Sequence, residues 1–197
     1  IKPKPLLRFE LGEDVGIENR TLVCVPVLIT SEQGIISAMS GIESHYLANK
    51  LKNVEFAILG DFVDAKTECR DEEEGLLRTA KREIERLNEK YCGTDGPIFH
   101  YLHRKRQFNE ADGVFMGWER KRGAVNAIMR LIKKADDVDF NCNYPPLEGN
   151  FTYITVLDAD TCLPSGSLGK LIGTASCSVN RPKHGKNGKL ISGHSII

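Results

Sequence analysis

Asp158 and Asp160 stand one residue apart at the end of the apolar run "YITVL" (153–157). An unpaired carboxylate is costly to bury, so something positive should meet this pair: a metal ion, a basic side chain, or solvent in place of either. Two hard oxygen donors suit Mg²⁺ or Mn²⁺, ions that complete their shells with substrate phosphates and water. Ala159 between them is small enough for close backbone approach. The same stretch allows a plainer use, in which Asp160, Thr161 or Ser165 caps a following helix. A second constellation is "GWERKRGAVNAIMR" (117–130), where Arg120, Lys121 and Arg122 lead into Gly123 and a helix. Basic side chains beside a helix N-terminus offer charge and backbone N–H groups to an anion. The competing account is a solvated basic run, with Trp118 simply packed. The third is "LGDFVDA" (59–65). Asp61 at a strand end can accept hydrogen bonds from a base or ribose, or it forms a turn whose bend is marked by Gly60. His45, His100 and His103 show no ligand spacing and are expected to be structural or exposed. No G-x-S-x-G, H-E-x-x-H or phosphate-loop pattern is present.

These residues need elements to position them. "TLVCVPVLIT" (21–30) and "VEFAILGDF" (54–62) are nearly continuous apolar runs, the signature of strands buried on both faces. Pro26 predicts a stop or bulge in the pairing of the first. "IFHYLHR" (98–104) predicts a weaker third strand and "YITVLDAD" (153–160) a fourth. Helices are expected from Ser31 and Glu32 to about Lys50, over 71–91, over 123–135 and over 165–176. In the second of these, acidic residues come first and basic residues last, with Leu76, Leu77, Ala80, Ile84 and Leu87 on one stripe. Alternating strands and helices imply an α/β fold, a mostly parallel sheet with helices on both faces. Ligands of such sheets bind outside the carboxyl ends of the strands. Three of those ends carry distinctive residues: 26–30 from Pro26 onward, Asp61 with Asp64, and Asp158 with Asp160.

The chain has 197 residues, 41% hydrophobic and 27% charged. That suits one globular domain (21–197) behind a lead-in segment rich in Pro, Gly and charge (1–20). A net charge of zero argues against nucleic acid as a partner held by bulk electrostatics. No apolar run approaches the roughly 20 residues of a membrane helix. The six cysteines are dispersed without a C-x-x-C pair, which excludes the usual zinc pattern and fits a reducing compartment. The chain opens on Ile1 and closes in the strand-like "KLISGHSII", so a longer parent protein is expected.

Four stretches, "RTLVCVPVLITS", "ESHYLANKLKNVEFAILGDFVDA", "MGWERKRGAVNAI" and "YITVLDADTCLPSGSLGKLIGT", together resemble the glycosyltransferase domain of bacterial cyclic β-1,2-glucan synthases. The match runs over most of the chain, and "GWERKRG" beside "LDADT" is its most specific part. More distantly the layout is similar to the processive inverting transferases that include cellulose and hyaluronan synthases. In those, a K-x-G-x-x-N stretch leads into a helix, and Lys121, Gly123 and Asn126 fit it. The resemblance implies a GT-A-like, Rossmann-related fold, truncated at its C-terminal side, that uses UDP-glucose to build β-1,2-glucan with inversion. It implies a nucleotide site of Pro26, Asp61, Lys121, Gly123, Asn126 and Asp158, with Asp61 at the uridine. It also implies Asp158 and Asp160 on a Mn²⁺ or Mg²⁺ that bridges the diphosphate. The ion would neutralise charge on departing UDP. In the relatives the carboxylate base and a Q-x-x-R-W-type acceptor motif come well after the D-x-D. Neither is visible before Ile197, so the catalytic residues are unknown and the isolated piece is expected to be inactive. The implied partners are UDP-glucose, a glucan acceptor and the remaining domains of a large synthase at the cytoplasmic face of the bacterial inner membrane.

Two other readings compete. A haloacid-dehalogenase-type phosphatase also ends a buried strand in D-x-D, but it wants Thr or Val two positions after the second Asp, where Cys162 stands. A nucleotide-sugar-binding half-domain without turnover would bind UDP and transfer nothing.

Overall fold

The computed structural model describes residues 5–93, 96–134 and 140–197. A 3₁₀ turn (Ile17–Asn19) precedes β1 (Thr21–Ile29), α1 (Glu32–Ala48), β2 (Val54–Phe62), α2 (Glu73–Tyr91) and β3 (Phe99–Arg104). There follow β4 (Gln107–Asn109), β5 (Val114–Met116), α3 (Arg120–Ile132), β6 (Phe140–Tyr144), β7 (Tyr153–Val156), α4 (Ser167–Ser176), β8 (Lys183–His184) and β9 (Leu190–Ser192). The main sheet has the order β6-β3-β2-β1-β7; β6 alone runs antiparallel to its neighbour. β4 with β5, and β8 with β9, form small hairpins.

The apolar run of β1 is continuous because its two faces meet two different cores. Val23 and Val25 pack with Ile35, Met39, Ala80, Ile84 and Leu168, from α1, α2 and α4. Leu22 and Cys24 pack with Ala124 and Ile128 of α3 on the other face. The expected mostly parallel α/β sheet with helices on both faces is thus observed. α1 starts where the sequence placed it, with Ser31 accepting from the Gly34 N–H at 3.1 Å. Among the described residues, no helix is long and apolar enough to cross a membrane.

Several boundaries differ from expectation. Pro26 neither stops nor bulges the pairing, which runs unshifted from Thr21↔Val54 to Ile29↔Phe62. The Leu157 N–H donates to the Cys24 carbonyl, so alternate residues of β1, Pro26 included, turn their backbone polar groups toward β7. β7 ends at Val156, opposite Cys24, and the missing proline donor therefore costs no ladder bond. Gly60 marks no bend; it lies within β2, where an added Cβ would stand 2.6 Å from both Tyr101 Oη and His103 Nδ1. The third strand, expected to be weak, is buried along its whole length, and its polar side chains have partners there, apart from the buried His103 Nε2. His100 lies 3.0 Å from both Glu55 Oε2 and the Pro145 carbonyl, and His103 Nδ1 lies 2.7 Å from Tyr101 Oη. The fourth strand stops at Val156, short of both aspartates. α3 begins three residues earlier than expected, and residue 135, its expected end, lies outside the described residues. α4 starts at Ser167 rather than 165. Residues 5–20 pack onto the domain: Val15 is buried, and the Phe9 N–H donates to Gly173 of α4 at 3.1 Å. All six cysteines are free, and Cys24, Cys142 and Cys177 are buried.

His103 is fully buried. Burial, reinforced by the charges of Arg106 and then Arg104, lowers its pKa to about 3. Above about 6.5 both folded and unfolded chains hold a neutral ring. Below that, the unfolded state takes up a proton that the native state does not, so stability falls with pH until about pH 3. Between pH 6.5 and 5 this group should cost about 2 kcal/mol. Urea unfolding at pH 7 and pH 5 should show wild type losing that much more than His103→Gln, and equal losses would refute the assignment.

Candidate functional site

β2 and β3 lie on one side of β1, and β7 lies on the other. The carboxyl ends of β1, β2 and β7 thus flank a topological switch point, where open α/β sheets take ligands. Asp61, next to last in β2, receives Arg104 Nε at 2.8 Å, and Nη2 on its second oxygen. Arg104 ends β3, and its guanidinium also donates from Nη1 to the Trp118 carbonyl (3.0 Å) and from Nη2 to the Arg120 carbonyl (3.1 Å). One buried side chain therefore ties the acid of β2 to the turn that opens α3. In that turn Glu119 (φ 54°) and Arg120 (φ 51°) are both left-handed. For residues other than glycine this costs of order 1–3 kcal/mol each, and it persists only where the surroundings enforce it.

The flanking glycines fit around the same guanidinium. A Cβ on Gly117 would lie 2.8 Å from Asp61 Cγ and 3.1 Å from Arg104 Nη2. A Cβ on Gly123 would stand 1.9 Å from the Trp118 carbonyl oxygen and 2.8 Å from Arg104 Nη1. Beyond the turn, Arg120 grips Asp64 with both terminal nitrogens, at 2.8 and 2.6 Å. Lys121, in the first turn of α3, pairs with Asp158 in the turn after β7.

Asp158 and Asp160 lie in the turn after β7, closed by the Thr161 N–H donating to the Asp158 carbonyl at 2.9 Å. Both are exposed, and Asp160 has no side-chain partner among the described residues. The helix-capping use is not observed: α4 follows Gly166 with no side-chain cap. Among the described residues no group of three or more His, Cys, Asp or Glu could hold a metal. Two exposed carboxylates fit Mg²⁺ or Mn²⁺ only together with a phosphate ligand and water, which is how such ions bind in nucleotide sites.

Of the residues expected at the nucleotide, Lys121 and Asp158 are in contact, and Asp61 is joined to the Lys121 turn through Arg104. Gly123 sits where that turn is tightest. Pro26 is half-buried in β1, opposite Leu59 and two residues before the partner of Asp61. Asn126 is exposed on α3 with no side-chain partner among the described residues, so the structure does not draw it into the group. Sequence reasoning missed Arg104 and Arg106, although their signal was present: a basic triplet (104–106) ending a strand beside one that ends in Asp61.

No family model matches the chain. Among solved structures, an α,α-trehalose-phosphate synthase (UDP-forming) from Burkholderia vietnamiensis aligns over 49% of this chain and 22% of that one. Its identity is 17% and its TM-score 0.34, below what a shared fold gives. Among curated proteins, the cyclic beta-(1,2)-glucan synthase NdvB of Rhizobium meliloti (strain 1021) is 34% identical over all 197 residues, and the chain spans 7% of that protein's length. The likeness to that protein thus runs the whole length of this chain, which aligns with a small segment of it.

Proposed function

We propose that this chain is the nucleotide-sugar-binding part of a GT-A-type glycosyltransferase that uses UDP-glucose to extend a β-1,2-glucan. The observation that carries the reading is the pairing of Lys121 with Asp158 at the switch point, beside a second carboxylate, Asp160, unpaired among the described residues. Basic and acidic groups so arranged match a diphosphate and a divalent cation held together. Asp158 and Asp160 would hold Mn²⁺ or Mg²⁺, which when bound offsets the charge of the diphosphate and of departing UDP. Lys121, once the carboxylates are neutralised otherwise, turns its ammonium to the phosphate oxygens. Asp61 keeps lone pairs that Arg104 does not use and accepts from the uridine. Pro26 and Gly123 keep the walls of the site close, and Asn126 adds a polar group from α3. The glucan acceptor attacks from the face opposite the nucleotide, and the rest of a larger membrane-bound synthase supplies its partners.

Calorimetry of UDP with Mn²⁺ tests this. Lys121→Ala should weaken binding by about 1.5–3 kcal/mol, the worth of a charge-assisted hydrogen bond. Arg120→Ala should cost less, because its exposed pair with Asp64 is worth at most about 1 kcal/mol. Equal affinities for wild type and Lys121→Ala would sink the reading. UDP binding without glucose transfer to a glucan would assign binding, not turnover, to the chain.

A further inference from the structure

We infer that Arg104 is the positioning residue of this site: it holds the turn over 117–121 in the conformation that presents Lys121 to Asp158 and to a nucleotide diphosphate. The inference rests on the reading of Lys121 just given, and goes beyond it by explaining why the lysine stands where it does. The Arg104 side chain is 9% exposed, and four hydrogen bonds run from its guanidinium to two carboxylate oxygens and two backbone carbonyls. The two carbonyls belong to Trp118 and Arg120. They bracket Glu119, and Glu119 and Arg120 are the two left-handed residues, so the bonds fall on the part of the turn that would otherwise relax. Lys121 follows immediately. Gly117 and Gly123 complete the fit, since a side chain at either would collide with the guanidinium, with Asp61 or with the turn itself. The motif "GWERKRG" is therefore a turn and helix start wrapped around a buried arginine from a neighbouring strand, with its exposed lysine paired to Asp158. Lysine could keep the charge beside Asp61 but offers no planar fork that serves several acceptors at once.

Trp118, the one tryptophan, sits in the turn and reports on it directly. In the ligand-free protein, Arg104→Lys should raise acrylamide quenching of Trp118 by about twofold and lower its anisotropy, as expected when a locally ordered segment is released. Far-UV circular dichroism should stay unchanged. With Mn²⁺ present, Arg104→Lys should weaken UDP binding about tenfold. Adding Lys121→Ala to it should then cost less than about twofold, against tenfold or more in wild type, because coupled residues are not additive. A merely structural arginine would leave the cost of Lys121→Ala the same in both backgrounds. Gly117→Ala, which crowds the Asp61 carboxylate and the guanidinium bound to it while keeping both charges, should repeat the pattern and serves if Arg104→Lys fails to fold. Unchanged Trp118 quenching in these variants, or additive effects on UDP, would overturn the inference. If wild type binds no UDP at all, the transferase reading falls, and the Trp118 measurement alone still decides whether Arg104 holds the turn.

Discussion

Glu73→Ala should lower the unfolding temperature by on the order of 10 °C, since breaking a buried ion pair costs about 3–5 kcal/mol. Glu73 opens α2, and its carboxylate takes both terminal nitrogens of Arg106, with side-chain exposures of 9% and 2%. It also accepts the Arg70 N–H at 3.0 Å. Removing it leaves a guanidinium buried without its counter-charge. Arg106 further donates to the carbonyls of Val63 (2.8 Å) and Glu68 (2.9 Å), so the loop after β2 loosens with it. A paired replacement, Arg106→Met with Glu73→Leu, should recover part of the loss. It should not recover all of it, because those carbonyls lose their donor. A shift of less than about 2 °C for Glu73→Ala, measured by thermal unfolding, would show the pair to be far more hydrated than its burial indicates.

The second large effect concerns metal dependence. Around the switch point stand Asp61, Asp64, Asp158 and Asp160 against Arg104, Arg120 and Lys121, and the three bases are each engaged by one of the acids. A diphosphate approaching without a cation meets a surplus of negative charge. Mn²⁺ reverses that sign at the carboxylates themselves. UDP should therefore bind wild type at least about a hundredfold more tightly with Mn²⁺ than without it. Asp160→Asn should erase most of that difference. Since Asp160 is exposed and unpartnered among the described residues, the variant should unfold at the wild-type temperature. Asp158→Asn should cost little stability either, as its exposed pair with Lys121 is worth at most about 1 kcal/mol. Calorimetry with and without Mn²⁺ checks both variants, and UDP binding indifferent to Mn²⁺ that survives Asp160→Asn would overturn the metal assignment.

The parts of the molecule legible in the sequence were those written in local periodicity. β1, β2, α1 and α2 were read nearly to the residue, because a doubly buried strand and a capped amphipathic helix each leave a pattern within ten to twenty positions. The ends of β7 and α3 were misplaced for a different reason. Leu157 is as apolar as the strand before it, and residues 120–122 are as polar as a loop, yet tertiary partners set both boundaries. β3 looked weak because its histidines and Arg104 are polar, and only pairing in space shows that they have partners, His103 through Nδ1 alone. The edge strand β6, "FNCNY", does alternate apolar and polar residues, but over only five positions, and sequence reasoning passed over it. The site followed the same division. Lys121, Asp158 and Asp160 were visible as a motif, whereas the contact between Arg104 and Asp61 joins positions 43 residues apart.

β1 outruns β7, so on that flank the residues after Cys24 have no neighbouring strand among the described residues. A bare strand flank is a template for self-association, because a second chain can dock its own backbone there. Pro26 falls on the first such position facing that flank and offers no N–H. An incoming strand would thus lose a bond where pairing must begin, and would also meet the proline ring. The residue that looked like a flaw in a central strand thus stands where it weakens the template that the bare flank of β1 beyond β7 would offer to another strand.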